Sequence, residues 1–233
     1  MKLNEKHHAA IVLAFYRALR DEYGETGLLA FSMAQRLYGE QRGRRMALRA
    51  LRDGHKLGYT EYFAYSEWEC TPEFFDVTMD ARPGCVDECV TRCPWADVFR
   101  AAGEPECGER YCADIGRAIV RGFNPELRLD LDETQHSGGA CRFHFRDEGV
   151  TPDLFESGDA LKKGETILPF TYHCAHVWRA YCDIISDVFG DAGCTLISHV
   201  RGDLHKAYGD AFFKALDTFS EMDFNRLPVF TTD

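Results

Sequence analysis

Cysteines recur at four-residue spacing in the stretch CVDECVTRCPW, as Cys85, Cys89 and Cys93. Pro94 follows the last of them, and proline is favoured at the first position of a helix, where its missing N–H costs nothing. Cys93 would then be the N-cap residue, where exposed amides and the helix dipole favour the thiolate. Cys93 is therefore a candidate catalytic nucleophile, with a small buried cap as the alternative. Cys85 and Cys89 are interpreted as packing residues, because a C-x3-C-x3-C spacing does not match the C-x2-C pairs of structural zinc sites.

Two histidines lie three residues apart in the stretch YHCAHVW, as His173 and His176. On a helix they share one face and can converge on a metal ion, with zinc the first choice. A catalytic zinc site also needs a third ligand and an open position for water. The candidate third ligands in the sequence are Glu5, His7, Cys112, Asp114 and Cys141. The alternative is a pair of histidines that only stack on aromatic rings and cap the helix, because the H-E-x-x-H form of metalloproteases is absent.

Further candidate catalytic residues lie in two other segments. In GERYCADIGRAIVRGF, a helix would place Cys112 and Asp114 about 200° apart around its axis, so they cannot both face one pocket without a kink. His136 and Cys141 flank the tip of a predicted hairpin, where they could form one wall of a site. The alternatives are structural, because Cys112 falls on an apolar helix face and alternation places Cys141 on the same strand face as Phe143.

The composition limits the classes of function. The chain has 233 residues, 45% of them hydrophobic, and a formal net charge of −11, which is typical of a globular protein. The negative charge argues against nucleic acid or an anionic membrane as a partner, because phosphate-binding surfaces need clustered Lys and Arg. No transmembrane run is found, and the charged start MKLNEKHH is not typical of a signal peptide. A reducing, cytoplasmic location without disulfides is therefore expected.

Several familiar motifs are absent from the sequence. It contains no G-x-S-x-G, no G-x-x-x-x-G-K-[ST] and no G-x-G-x-x-G, which weakens the serine hydrolase, nucleotide hydrolase and dinucleotide oxidoreductase interpretations. The densest basic stretch has helical spacing and is interpreted as a solvated helix face. It contains Arg42, Arg44, Arg45, Arg49 and Arg52.

The order of the predicted helices and strands indicates a single α+β domain. In it, a small antiparallel sheet is flanked by N-terminal and C-terminal helices. The predicted order is a helical segment over 1–58, a central α+β segment over 59–147, a connector over 148–168 and C-terminal helices over 169–222. In the first segment, apolar residues at three- and four-residue steps predict a helix over residues 5–23, which Gly24 and Gly27 then interrupt.

The central segment combines strand and helix patterns. Aromatic and β-branched residues predict strands at 61–69 and 73–81, and helical spacing returns after Pro94 and over 108–122. Alternating residues on both sides of HSGG predict a hairpin, with the glycines at positive φ in the turn.

A weak internal repeat relates the two helical ends. A shift of 166 residues aligns 7–50 with 173–216 without gaps and matches eight of 44 positions, including the G-x-x-G of Gly24 and Gly27 with that of Gly190 and Gly193. Two similar helical segments packed side by side would explain the pattern, and so would two unrelated helical hairpins.

The stretch from CPWADVF through ERYCADIGRAIVRGFNP to GGACRFHF resembles the central block of the L-2-amino-thiazoline-4-carboxylic acid hydrolase family. The resemblance covers roughly residues 5 to 147 and implies a cytosolic hydrolase that acts on a small ring. The positions that match the family pattern are Cys93, Cys112, Asp114, Gly122, Phe123, Asn124, Gly138, Cys141 and Phe143.

Ring opening at an amidine carbon or an activated carbonyl needs a nucleophile, a proton donor for the leaving atom and stabilisation of a tetrahedral intermediate. In one version, Cys93 or Cys112 attacks and His136 or His176 moves the proton. In the other version, a metal held by His173, His176 and a third ligand activates water.

A small-molecule sensor is the alternative outside the enzymes. The hairpin ending in GGACRFHF is similar to ligand-binding domains related to 4-vinyl reductase, which bind small molecules without converting them. The hydrolase interpretation expects a small cyclic substrate as the partner, the sensor interpretation expects a small-molecule ligand, and homo-oligomerisation stays open.

Overall fold

The structure, a computed structural model, describes residues 1–161 and 166–228. It is an α+β fold with a four-stranded antiparallel sheet, as predicted. The elements are α1 (Glu5–Arg52), α2 (Tyr59–Ala64), β1 (Asp76–Arg82), β2 (Cys85–Arg92), α3 (Pro94–Ala101), α4 (Pro105–Phe123), β3 (Arg128–Glu133), β4 (Cys141–Arg146), α5 (Leu154–Leu161), α6 (Phe170–Tyr208) and α7 (Asp210–Asp217). None of the helices in the described part of the chain is long and apolar enough to cross a bilayer.

Contacts divide the chain into two compact units, which are described separately. The helical unit consists of residues 1–38, 93–114 and 168–220, and the sheet unit consists of residues 39–92, 115–167 and 221–233. The prediction of a single domain stays a prediction.

Within the helical unit, α1 is two helices joined at Gly24, which has φ 54° and ψ −131°. The rings of Tyr16 and Phe31 lie 5.3 Å apart, and those of His8 and Tyr38 lie 5.2 Å apart. A straight helix would separate the first pair by about 22 Å. The chain therefore reverses at Gly24, as the sequence predicted, and glycine is required because L side chains rarely adopt this φ.

The second half of the helical unit repeats this arrangement. Helix α6 is broken at Gly190, with φ 56° and ψ −133°. Phe15 stacks on Tyr181 at 4.8 Å, and Tyr23 stacks on Phe189 at 3.9 Å. Both ring pairs join positions that the 166-residue shift makes equivalent. The repeat is therefore structural: two equivalent helical hairpins pack through equivalent aromatic rings.

The sheet unit is built on strands in the order β1-β2-β4-β3. Val86, Val90 and Phe145 point to its buried face. On the opposite face, the two ring nitrogens of His144 bond Asp87 and Asp132. The predicted hairpin of β3 and β4 is confirmed, and so is the alternation of its side chains between the two faces of the sheet.

The turn of that hairpin differs from the prediction. The HSGG glycines at 138 and 139 are not among the residues with positive φ. The turn is closed instead by hydrogen bonds from the backbone amides of Ser137 and Gly138 to the carbonyl of Thr134, so no left-handed residue is needed.

Two further differences concern the chain on either side of the sheet. Residues 61–69 were predicted as a strand, but α2 occupies the start of this stretch. The Glu61 carboxylate accepts from the Gly58 amide at 3.0 Å, and the rings of Tyr59 and Tyr62 pack on Phe145, so local capping and tertiary packing override the β propensity of the aromatic residues. The predicted connector contains α5, which packs on α2 through Phe155.

A close helix crossing fixes the second half of α1 within the sheet unit. A Cβ atom at Gly43 would lie 1.9 Å from the carbonyl oxygen of Ile119, and one at Gly122 would lie 2.2 Å from that of Glu40. Only glycine allows this approach. The crossing holds the arginine-rich end of α1 against α4.

Candidate functional site

The arginine-rich end of α1 is buried, contrary to the prediction of a solvated face. Arg42, Arg45 and Arg49 keep 3%, 0% and 6% of their surface exposed, whereas Arg44 and Arg52 are exposed. The three buried residues recur at helical spacing on one face of α1. Charge patterning alone did not reveal this, because the same spacing also describes an exposed face.

Two of these arginines form a buried ion-pair cluster with one carboxylate. Arg45 bonds both oxygens of Glu67, at 2.9 and 2.6 Å, and Arg49 bonds Oε1 at 2.6 Å. Arg45 also donates to the carbonyl of Phe224 at 2.6 Å. Burial opposes the ionisation of Glu67, but the two guanidinium groups outweigh it and hold the pKa of Glu67 below its usual value. The cluster is a structural core of the sheet unit.

The third arginine, Arg42, has no such partner. Its guanidinium carbon lies 3.5 Å from the centre of the Trp68 ring, which is a cation–π contact. Its Nε and Nη1 atoms are buried, and no acceptor for them occurs among the described residues. The positive charge of Arg42 is therefore stabilised by an aromatic face, and its influence on the pKa of Glu67 is smaller than that of Arg45 or Arg49.

The sheet unit also contains an acidic side chain with a raised pKa, Glu88, which lies on the buried face of the sheet. Glu88 accepts a hydrogen bond from the hydroxyl of Tyr59, and burial raises the pKa of Glu88. The pKa of Tyr62 depends on two charged neighbours. Burial and the Glu88 carboxylate raise this pKa, and the Arg42 guanidinium lowers it. Arg42 and Glu88 therefore each lie within electrostatic reach of Tyr62.

The helical unit contains a buried aromatic and imidazole cluster around His8. The indole N–H of Trp95 donates to Nδ1 of His8 at 3.0 Å, so this nitrogen is an acceptor and a neutral ring carries its proton on Nε2. The His8 ring lies 5.2 Å from Tyr38 and 6.5 Å from Tyr111, and His8 is fully buried. The sequence analysis missed His8, because a single histidine in an apolar helix gives no spacing signal.

His173 and His176 belong to this unit and lie on α6, as predicted. Both are fully buried. The ring of His176 lies 4.5 Å from Tyr38, and the ring of His173 lies 5.8 Å from Phe170. Across residues 1–161 and 166–228, no three His, Cys, Asp or Glu side chains converge as metal ligands. Both rings make aromatic contacts, and the zinc site stays a prediction.

Cys93 occupies the predicted place at the start of α3. It is the N-cap residue with φ −145° and ψ 125°, Pro94 follows at the start of the helix, and the thiol makes no capping hydrogen bond. Trp95, two residues later, is the residue that bonds His8. The half-buried thiol is therefore at the positive end of a helix whose first turn is tied to the His8 cluster.

Cys112 and Asp114 lie on α4 in the same unit. The Asp114 carboxylate accepts two hydrogen bonds from Arg36, at 3.0 and 2.7 Å. This partly exposed ion pair explains Asp114 as a residue that ties α4 to α1. Cys112 is half-buried. Cys107, on the same helix, is fully buried, and burial raises its pKa.

His136 and Cys141 lie in the sheet unit, at the turn between β3 and β4. Cys141 is buried and accepts from the amide of Gln135 at 3.4 Å. Burial raises the pKa of Cys141, which disfavours a thiolate there. The amide of His136 donates to the hydroxyl of Thr134 at 3.2 Å. The predicted gathering of Cys93, Cys112, Cys141 and His176 around one cavity stays a prediction.

The spacing of Cys85 and Cys89 has a strand explanation. Both lie on β2, where a four-residue step returns a side chain to the same face, opposite Arg146 and Arg142 of β4. The Arg142 guanidinium approaches the Cys89 sulfur at 3.8 Å. They are partly buried sheet residues, in agreement with their interpretation as packing residues.

Comparison with known proteins places the chain in a family. The family model described as L-2-amino-thiazoline-4-carboxylic acid hydrolase matches residues 4–145. This span contains α1 to β3 and most of β4. No match was found among curated proteins or among solved structures.

Proposed function

Because the chain belongs to the L-2-amino-thiazoline-4-carboxylic acid hydrolase family, we propose that it opens a small carboxylate-bearing cyclic amidine by hydrolysis. The family match over residues 4–145 is the observation that carries this proposal, since it covers α1, where Arg42 lies, and the N-cap position of Cys93. The non-catalytic sensor finds no comparable support. We further propose a cytoplasmic location, in keeping with the ten free cysteines.

The chemistry follows from the ring itself. The amidine carbon of a 2-amino-thiazoline is bonded to sulfur and to two nitrogens, so a nucleophile can add to its C=N bond. We propose that the Cys93 thiolate adds to this carbon and that one ring bond then breaks, with a proton delivered to the departing sulfur or nitrogen. Water then cleaves the bond between Cys93 and the substrate carbon and releases the thiol. The net reaction adds one water to the ring.

Cys93 suits the first step because the N-terminal end of α3 stabilises a negative charge on its sulfur. The proton can be carried by His176, which is in the same unit as Cys93. Cys112, Asp114 and Cys141 remain candidates for secondary roles, with Asp114 acting through its ion pair to Arg36.

The first test is an assay on 2-amino-thiazoline-4-carboxylate, followed by mass spectrometry for a product heavier by one water. Cys93→Ser should lower kcat by at least about 100-fold, because the nucleophile is lost. Cys89→Ser is the matched control, since Cys89 is equally half-buried but lies on a strand. Full activity of Cys93→Ser would rule out Cys93 as the nucleophile.

The metal route makes the opposite prediction. If His173 and His176 hold a metal, elemental analysis of untagged protein finds stoichiometric zinc and chelation abolishes activity in the wild type. If activity survives chelation, the thiolate route stands. His176→Ala separates the roles further: loss of zinc indicates a ligand, and a changed pH profile without metal indicates a proton carrier.

A further inference from the structure

Strand β1 lies at one edge of the four-stranded sheet, and in the described part of the chain β2 is the only strand that pairs with it. Edge strands offer unpaired backbone groups to other strands, and native proteins usually protect them with proline, lysine, a bulge or a covering element. Over residues 77–82, β1 contains neither proline nor lysine and pairs with β2 without a bulge. Five of its seven residues are exposed, namely Asp76, Val77, Thr78, Asp80 and Arg82.

The register of β2 shows which residues of β1 direct their backbone groups outward. The carbonyl of Gly84 accepts from the amide of Asp147, which follows β4, and backbone direction alternates along a strand. Residues 86, 88 and 90 of β2 therefore face β4, whereas residues 85, 87 and 89 face β1 and bond its residues 82, 80 and 78. The N–H and C=O groups of Val77, Met79 and Ala81 consequently point to the open edge. No hydrogen bond to these groups occurs within residues 1–161 and 166–228.

The same three residues form an apolar strip on the core side of the edge. Val77 and Ala81 lie opposite Val90 and Val86, which point to the buried face. Val77 nevertheless keeps 38% of its surface exposed, and Met79 and Ala81 are half-buried. The buried layer of the sheet thus ends at β1 with apolar side chains that are still partly in water. A further strand at this edge would cover them and would pair the outward backbone groups.

The sequence of β1 is complementary to a second copy of itself. A two-fold antiparallel pair centred on Met79 places Asp76 of each copy opposite Arg82 of the other. It also places Val77 opposite Ala81, so the apolar strips continue each other on the core side. Asp76 and Arg82 already have partners within the chain, but their side chains stay 58% and 55% exposed and can each make a further contact.

The neighbouring registers and the opposite edge are less suitable for self-pairing. A pair centred on Thr78 brings Asp76 opposite Asp80, and a pair centred on Asp80 brings this carboxylate opposite its own copy. Like charges directly opposite each other destabilise a sheet. Strand β3, at the opposite edge, has three carboxylates among its six residues and a bulge in its pairing with β4. The charges therefore favour β1 and select one register.

We propose that two copies of this chain pair through β1 in the register centred on Met79, which joins their sheets into one sheet of eight strands, four from each copy. The contact is short compared with the interfaces of permanent dimers, so the dimer dissociates on dilution, with a Kd in roughly the micromolar range. The proposal is independent of the hydrolase function, because every residue it uses lies in the sheet unit of its own copy.

The first test is sedimentation velocity of the full chain from about 1 µM to several hundred µM. A reductant is present so that no disulfide links two copies. The parent protein should shift from the mass of one chain to the mass of two as its concentration rises. A parent protein that stays monomeric throughout would overturn the inference, and so would one that forms assemblies larger than a dimer.

Two charge reversals test the register. Asp76→Arg places an arginine opposite Arg82 at both ends of the pair, and Arg82→Glu places a glutamate opposite Asp76. Each variant alone should raise the Kd at least about 10-fold, whereas an equimolar mixture should dimerise again, because the mixed pair has opposite charges at both ends. Asp130→Arg, an equally exposed reversal on β3, is the matched control and should dimerise like the parent. A mixture as monomeric as its two components would overturn the proposed pairing.

Met79→Pro tests the backbone contact. It removes an outward N–H at the centre of the pair, and proline is tolerated in an edge strand where its nitrogen faces solvent. The variant should stay folded in a circular dichroism melt and remain monomeric at the highest concentration. A folded Met79→Pro that dimerises like the parent would place the interface elsewhere. If this variant does not fold, the mixture of charge reversals decides.

Discussion

Two neighbouring regions on one face of α1 use the same residue type in different ways. Arg45 and Arg49 reach Glu67 and are satisfied by the protein, whereas Arg42, one turn away and equally buried, stacks on Trp68 and finds no acceptor among the described residues. The first region explains how the sheet unit holds together. The second places a buried cation against an aromatic ring in place of a carboxylate. The burial of an arginine does not distinguish these two roles, whereas the presence of a hydrogen-bond acceptor for its guanidinium does.

The strongest test of this contrast is Glu67→Gln, which leaves Arg45 and Arg49 buried without their carboxylate. Breaking a buried pair from one side costs about 3–5 kcal/mol of unfolding free energy. Because the folded-state pKa of Glu67 is depressed, its ionic contribution is present above the unfolded pKa and is lost as the pH falls through the folded value. Urea denaturation at neutral pH measures the loss, and Glu69→Gln, at an exposed neighbour, is the control. Identical midpoints for the two variants would deny the cluster a structural role.

A smaller effect is expected from Glu88→Gln. The raised pKa of Glu88 means that the folded state binds its proton more tightly, so the unfolding free energy falls as the pH rises from the unfolded pKa through the folded one. Removing the charge should flatten this slope and stabilise the protein at neutral pH by on the order of 1 kcal/mol. Denaturation at several pH values measures it. The exposed Glu148→Gln should keep the parent slope, and an unchanged slope in Glu88→Gln would contradict the raised pKa.

Arg42→Met should show how much the third buried arginine contributes to stability. Since the buried guanidinium has no acceptor among the described residues, replacing it with an apolar side chain of similar length should leave the unfolding free energy unchanged or raise it by about 1 kcal/mol. The same denaturation experiment used for Glu67→Gln gives the value. A loss as large as that of Glu67→Gln would place Arg42 in the structural cluster instead.

The smallest effect is expected at an exposed arginine, in Arg36→Met. Arg36 bonds Asp114 at 2.7 Å, but its side chain is 48% exposed, and such pairs contribute about 0–1 kcal/mol. Thermal melts at low and high salt check this, since screening should remove most of the difference. If Arg36→Met lost several kcal/mol of unfolding free energy and salt did not change this loss, the exposure of an arginine would not predict how much its ion pair stabilises this protein.

Local signals in the sequence predicted the elements well where one residue dominates the geometry. Gly24 ends the first helix because its φ of 54° is open mainly to glycine, and Pro94 starts α3 with Cys93 as its cap. Residues 61–64 show the opposite case. Their aromatic residues favour strands, but capping by Glu61 and packing on Phe145 place them in α2.

The candidate site was predicted less completely than the fold. The spacing of His173 and His176 predicted their shared helix, and the proline predicted the place of Cys93. His8 and Arg42 carried no motif, since their significance depends on Trp95 and Trp68, which come from distant parts of the chain or from another element. A motif search detects ligands that are neighbours in sequence and misses those that meet only in space.

The sequence by itself determined the long helices, the glycine breaks at Gly24 and Gly190, the β3–β4 hairpin, the cap position of Cys93 and the family. Each of these depends on residues that are close together or in a fixed order. Only the tertiary structure decided which charges are buried and which of them have acceptors. The physical reason is that desolvation and hydrogen bonding depend on what surrounds a side chain in three dimensions. The same arginine spacing on α1 gives Arg45 a buried ion pair with Glu67 and gives Arg42 a stacking contact with Trp68.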